Sequence, residues 1–300
     1  MTICLQKFGW IMHLSTKHAL RVSEILARVA QMEIMPRFET LSAGQVREKS
    51  SSFDVVTEAD EAAELVISQA LRTDFPTAVI VGEEASTKDA SLVDKIETAE
   101  LAFIVDPIDG TKNFVSGLPL FGVMAAATIY GEPVLSVIHD PVRQDTAIAI
   151  KGEGAWLQRR NGTKARLRVA DPVPLSKMDA VIATKFLPEP LRSIVNGNLS
   201  QIGMNSFFRC AAHEYRLAAA GHCHLLFYNK LMPWDHAPGW LLHREAGGYS
   251  AHFDGSEYRP SHLSGGLICA PDRASWQRAR DVLLNGSLAP TNELAHGNDR

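Results

Sequence analysis

Residues 101–114 read LAFIVDPIDGTKNF, and the reading of this stretch decides the fold. Leu101 to Val105 is apolar, too short for a helix, and runs directly into carboxylates, so it is a buried strand that delivers acids at its end. Asp106 and Asp109 flank a Pro-Ile step, which predicts a tight turn presenting both carboxylates and the Ile108 carbonyl to one neighbourhood. Gly110-Thr111 then begins a helical turn, whose first N–H groups suit a phosphate oxygen. By itself an Asp-Pro turn followed by Asp-Gly is only a loop. Its emergence from a buried strand, with a hydroxyl following, is what sets it apart.

Two further acidic points occupy equivalent positions. The apolar run Ala78 to Val81 leads to Glu83-Glu84, and Trp234-Asp235 enters a helix. Strand ends and helix starts are where open α/β sheets place ligands. If Glu83, Asp106, Asp109 and Asp235 converge, their repulsion in a partly desolvated site is severe unless cations lie between them. Oxygen donors without a matching His or Cys set point to a hard ion, and Mg²⁺ binds through a few carboxylates, waters and substrate phosphate. A lone Gly-Glu-Glu is ordinarily a solvated acidic face; the combination carries the argument.

Working outward, apolar residues from His18 to about Met35 recur at three- and four-residue steps and predict a one-faced helix stopped by Pro36. A second helix is predicted over Glu58 to Thr73. From Phe121 to Trp156 three apolar segments separated by turn residues give an antiparallel meander. After Asp171-Pro172 the pattern alternates: strands near Ala180, His224 to Tyr228, Tyr249 and Leu267, and helices near Leu191, Ala211 to Ala220, Ala237 to Ala246 and Ala274 to Leu284. The expected organisation is an N-terminal extension (1–17), an α+β metal-binding half (18–157), an α/β half that completes the site (158–286) and a frayed tail (287–300).

Composition narrows the function. The 300 residues carry a net charge of -4, and the 30 Lys and Arg are scattered, without the basic stripe that nucleic-acid binding needs. Cys4, Cys210, Cys223 and Cys269 show no paired spacing and fit reduced thiols in a cytoplasm. The first twelve residues lack the parts of a signal peptide, and no run approaches the ~20 apolar residues of a membrane span. The chain is expected to be cytoplasmic, with neither a nucleic-acid nor a membrane partner.

Gly82 to Glu84 (GEE), Asp106 to Phe114 (DPIDGTKNF) and Trp234 to Gly239 (WDHAPG) resemble, in order and spacing, the three signatures of the inositol monophosphatase family. Lys49 to Asp60 (KSSSFDVVTEAD) is similar to the K-x-x-x-x-D-x-V-T-x-x-D stretch of that family, with Lys49, Asp54, Val56, Thr57 and Asp60 matching. The resemblance spans roughly residues 18–285. It implies the fold of the sugar phosphatases: an α+β half and an α/β half in a layered αβαβα sandwich. It implies hydrolysis of a small phosphorylated substrate with two or three Mg²⁺ per subunit, inhibition by Li⁺, and a homodimer. Glu83, Asp106 and the Ile108 carbonyl would hold a first ion, Asp106, Asp109 and Asp235 a second, and Glu83 would help a third. Thr111, polarised by Asp60, would with Glu83 orient the attacking water, and the Gly110 and Thr111 amides would receive the phosphate. Lys49 would stabilise the acidic cluster or an incoming anion.

The departures bear on substrate. Inositol-specific relatives typically place a glutamate where Tyr228 falls and a glycine where Arg209 falls, so Arg209, Ala211 and Tyr228 are the residues expected to contact or support the substrate. Histidinol phosphate, 3′-phosphoadenosine 5′-phosphate and sugar bisphosphates stand beside inositol monophosphate as candidates, and a non-catalytic binding or regulatory protein on the same fold is the alternative of another class. His236 and Pro238 fall in a helix's first turn, where proline is tolerated; His236 is expected to pack. His222-Cys223-His224 is expected to be structural.

Overall fold

The protein is described by a computed structural model over residues 14–41, 43–51 and 54–285. The expectations for residues 1–13, Cys4 and the tail at 287–300 lie outside the described residues. Helix α1 (Thr16–Val29) buries Ala19, Val22, Ile25, Leu26 and Val29, the stripe its spacing predicts. It does not run on uniformly to Met35. At Ala30 the helix widens into a π turn through Ile34 and tightens to a 3₁₀ turn at Met35–Arg37. Pro36 sits in that turn and has no N–H with which to continue the α ladder.

A hairpin that apolar periodicity did not reveal follows, β1 (Val46–Ser51) with β2 (Asp54–Thr57). Then come α2 (Glu58–Asp74), β3 (Val79–Gly82), α3 (Glu83–Lys88), α4 (Ser91–Thr98), β4 (Ala102–Asp109) and α5 (Thr111–Val115). The meander is β5 (Gly122–Ile129), β6 (Glu132–Asp140), β7 (Asp145–Ile150) and β8 (Gly154–Gln158), extended by β9 (Lys164–Arg166). The remaining elements are β10 (Asp179–Ile182), α6 (Leu191–Asn198), β11 (Met204–Ser206), α7 (Ala211–Ala219), β12 (Leu225–Tyr228), α8 (Pro233–Glu245), β13 (Tyr249–Ala251), β14 (Leu267–Ala270) and α9 (Arg273–Leu283).

Strands β3 to β9 lie in sequence order in a seven-stranded sheet, and a five-stranded sheet has the order β11-β10-β12-β14-β13. Only β3 and β4 are parallel in the first sheet; β11, β10 and β12 are parallel in the second. The central strands are buried along nearly their whole length, because both faces of each sheet are covered, and successive side chains enter opposite cores. Phe103, Val105, Val123, Ala125 and Ala127 join α1 and α2 in one core; Met124, Ile138, Ala147 and Ala149 face the other way, onto α7 and α8. In the second sheet Val181, Leu226 and Cys269 face α7 and α8, while Ala180, Phe227 and Ile268 pack with Trp276 and Ala279 of α9. The layers are helix, sheet, helix, sheet, helix.

Helices α7 and α8 are thus covered on both sides, and they pack through small residues. A Cβ on Gly239 would lie 2.0 Å from the buried Tyr215 ring, and one on Gly122 of β5 would lie 2.6 Å from Ala212 Cβ. His224 does not open a strand, as expected; it precedes β12, and its Nδ1 accepts from the Asp179 N–H at 3.2 Å. Pro238 also departs from expectation. Helix α8 begins at Pro233, so Pro238 lies inside it beyond the first turn, where its missing N–H leaves the Trp234 carbonyl without the usual partner.

His243, buried in α8 beside Ser250, has its pKa lowered to about 4 because burial disfavours the imidazolium. Its folded pKa lies below the unfolded value of about 6.5, so the unfolded chain takes up the proton first and stability falls as pH drops through that window. Urea unfolding should therefore show that wild type loses up to about 2 kcal/mol more than His243→Gln between pH 7 and pH 5. Equal losses would mean that His243 takes up a proton freely in the folded state.

Candidate active site

Asp106 and Asp109 stand three apart, which in a regular strand puts them on opposite faces. The structure does not turn at Pro107, as the sequence suggested, but continues β4 through Asp109 with a bulge. Asp106 pairs with Met124 and Asp109 with Gly122, so Pro107 and Ile108 together oppose Val123 alone. The extra residue restores the phase: both carboxylates face α7 and α8, and Ile108 goes into the α1–α2 core. Proline fits here because a bulge interrupts the ladder that its missing N–H cannot serve.

Asp235, in the first turn of α8, completes the cluster. Carboxylate oxygens of Asp106, Asp109 and Asp235 all lie within 4.8 Å of one another, and this is the one acidic, His or Cys grouping able to hold a metal ion among the described residues. At that separation each pair of full charges repels by about 3 kcal/mol or more at an effective dielectric constant of about 20. Burial and the surrounding carboxylate charge, Glu83 included, raise all three pKa values, Asp109 to about 6. Asp109 is raised least far from the ordinary range because its Oδ2 accepts from the Cys210 thiol at 3.0 Å and from the Ala212 N–H at 2.6 Å. The opening of α7, where Ala211 also lies, thus rests on Asp109, and the missing side chain of Gly122 permits the approach.

Lys49, from β1, supplies the opposing charge. Its Nζ donates to Glu83 at 2.8 Å and Glu84 at 2.6 Å. Burial disfavours its charge, but the two carboxylates outweigh burial and raise its pKa. Glu83 is thus turned toward Lys49 and is not one of the three mutually close carboxylates, although its charge raises the pKa of Asp106, Asp109 and Asp60. Thr111 Oγ1 lies 3.2 Å from Asp60 Oδ1 and 2.9 Å from the Ile108 carbonyl, both of which can accept from it. Asp60 Oδ2 in turn accepts from Thr57 Oγ1 at 2.6 Å and Thr57 N at 2.8 Å, the reciprocal capping arrangement at the start of α2. Burial raises the pKa of Asp60 to about 7 against those hydrogen bonds. Gly110 opens α5 at φ 88°, and a Cβ there would meet the Leu120 carbonyl at 2.9 Å.

Lys49, Glu83, Asp109, Gly110, Thr111 and Asp235 line a cavity of about 570 Å³ that also reaches Lys185, Phe186, Arg209 and Tyr228. Tyr228 OH donates to Glu214 Oε2 at 2.8 Å. His236 lies beneath, between the Tyr215 hydroxyl and the Lys230 carbonyl, and burial lowers its pKa to about 4.

A sequence model of the inositol monophosphatase family matches residues 16–287. The chain belongs to the inositol monophosphatase family. Nus factor SuhB of Escherichia coli K12 is 32% identical over 246 residues, covering 79% of this chain and 85% of that protein. Nus factor SuhB of Pseudomonas aeruginosa is 36% identical over 248 residues, 79% of this chain and 86% of that one. Among solved structures, Thermotoga maritima IMPase superposes with a TM-score of 0.73 at 27% identity, covering 88% of this chain and 94% of that one. Extragenic suppressor protein suhB from Bartonella henselae gives 0.73 at 26%, covering 88% and 99%.

Membership of the family does not explain every residue that holds the site together. Glu64 and Glu214 were absent from the sequence reading. Glu64 accepts from the Glu84 N–H at 2.7 Å and the Ala85 N–H at 2.8 Å, fixing the helix that carries Glu83. The signal was available: Asp60 and Glu64 are one helical turn apart on the buried face of α2. Glu64→Gln turns one acceptor into a donor facing an N–H, and should cost about 2 kcal/mol in urea unfolding; an unchanged midpoint would show that α3 holds its place without this pair.

Proposed function

We propose that the protein is a Mg²⁺-dependent phosphatase that hydrolyses a small phosphate monoester. The observation that carries the reading is Asp106 Oδ1, a buried carboxylate oxygen without a hydrogen-bond partner, in a cluster of three acids within 4.8 Å. Such an arrangement fits a hard divalent cation, since oxygen donors alone surround the point where the acids meet. Asp106, Asp109 and Asp235 would hold it, with Glu83 and the Ile108 carbonyl able to serve a neighbouring ion. The ion when bound supplies charge for the phosphoryl oxygens and acidifies water.

The protein's own residues would position the reactants. Asp60, held by Thr57, would accept a hydrogen bond from the Thr111 hydroxyl, leaving a Thr111 oxygen lone pair to orient, with Glu83, the water that attacks phosphorus. The first amides of α5, at Gly110 and Thr111, would meet a phosphate oxygen, and Lys49 holds Glu83 in place through its hydrogen bond. The site requires no catalytic histidine, consistent with the buried packing of His236.

A second reading has support in the relatives' name, which is that of a Nus factor and not of an enzyme. There the chain would keep the fold as a binding or regulatory protein. Turnover separates the two. Phosphate release from a panel of phosphate esters should require Mg²⁺, stop with EDTA and decline with Li⁺. Asp109→Asn should lower turnover by roughly 100-fold or more while the fold stays intact, since its remaining carbonyl oxygen can still accept from Ala212. Wild-type turnover in that variant would remove the proposed metal site; Mg²⁺-linked thermal stabilisation without release of phosphate would favour the binding protein.

A further inference from the structure

Arg209 occupies a position that its backbone resists. Its φ is 56°, in the left-handed region, which side-chain-bearing residues seldom adopt. The next residue, Cys210, is held against Asp109. A glycine would satisfy that geometry without strain. The guanidinium recovers nothing from the protein: Arg209 is exposed, lines the cavity, and makes no ion pair or hydrogen bond among the described residues. A strained backbone that carries an unpartnered cation at the mouth of a site is explained by what enters the site.

Two more cations sit on the same rim. Lys185 Nζ and Lys230 Nζ lie 5.3 and 5.6 Å from the centroid of the Phe186 ring, so one aromatic side chain holds both. Asn229 Nδ2 donates to the Phe186 carbonyl at 2.7 Å, which ties the two loops together. Lys230 also lies near enough to Asp235 to favour that carboxylate's charge, so the rim's unanswered charge is that of Arg209. The opposite chemistry is closed off. Away from the metal-side acids, Glu214 is the remaining carboxylate lining the cavity among the described residues, and it already accepts from Tyr228 OH at 2.8 Å and Phe208 N at 3.1 Å. Glu214 is moreover only 2% exposed, so polyol hydroxyls find no accessible carboxylate there to donate to.

We infer that the mouth of the cavity is a subsite for a second anionic group on the leaving portion of the substrate, held by Arg209 with Lys185 and Lys230 beside it. The inference rests on the phosphatase reading and names its substrate class: a phosphate monoester that carries a further phosphate or carboxylate, not a neutral polyol phosphate. Arg209 acts on specificity, because it lies on the rim and not among the acids.

Matched substrates test it. Glycerol 3-phosphate and 3-phosphoglycerate share a three-carbon skeleton and differ by a carboxylate; adenosine 2′-phosphate and adenosine 2′,5′-bisphosphate share a nucleoside and differ by a phosphate. With Mg²⁺, kcat/KM should be at least tenfold higher for the more anionic member of one pair or both, the pair naming the group, and inositol 1-phosphate should group with the less anionic members. The preference should shrink at least fivefold in Arg209→Gln and in Lys230→Gln, chiefly through KM, and should weaken as salt rises. Arg209→Gly, which relieves the backbone, should lose the preference without losing thermal stability, so misfolding is separated from loss of the cation. Equal kcat/KM within both pairs, or a preference that survives both glutamine variants, overturns the subsite and leaves the phosphatase reading standing. No phosphate from any ester removes that reading, and the subsite with it.

Discussion

Three carboxylates within 4.8 Å, out of bulk water, are the constraint on which the rest of the structure depends. Left to themselves these charges would drive the segments that carry them apart. Each segment is accordingly secured by something other than the cluster. Asp106 and Asp109 belong to a strand flanked by partners on both sides. Asp109 is held from the far side by the start of α7, and Glu83 by Lys49 and by the Glu64 clasp on α3. Asp235 is carried by a helix buried between two sheets. The fold supplies the force that keeps like charges together, and the potential so created would suit a cation.

That division explains why the site spans layers. The first sheet provides two acids, the central helices provide one acid and the groups that orient another, and the hairpin β1–β2 provides the cation. Glycines 122 and 239 matter for the same reason: they set the distance between layers, and through it the distance between Asp109 and the helix that steadies it.

Much of this was legible in the sequence, and what was not has a physical reason. The strands were visible as short apolar runs because they are covered on both faces, and the meander because Gly and Pro punctuate it. The three aspartates, Glu83 and Thr111 were visible because a motif confines them to few positions. The hairpin β1–β2 was hidden because its strands are half-polar and carry no apolar alternation. The bulge was read as a turn, since a Pro-Ile step between acids looks the same in either. Pro238 lies beyond the first turn because α8 starts at Pro233, ahead of the apolar run that marks the helix in the sequence. Glu64 and Glu214 escaped because a buried acid bonded to backbone N–H or to Tyr228 looks in sequence like any surface acid. For Glu214 only the tertiary partner distinguishes it, whereas Glu64 carries a further sign in its helical spacing from Asp60.

The bulge in β4 gives the site an arithmetic of its own. With two residues between Asp106 and Asp109 set against one on the neighbouring strand, the carboxylates share a face by parity. Losing Pro107 would abolish the bulge yet leave the two carboxylates on one face, at the spacing of a regular strand; gaining a residue between them would turn Asp109 toward the apolar layer under α1 and α2. The spacing of the acids is therefore as much a component of the site as the acids, and a chain that preserved every functional side chain could still lose the site by miscounting.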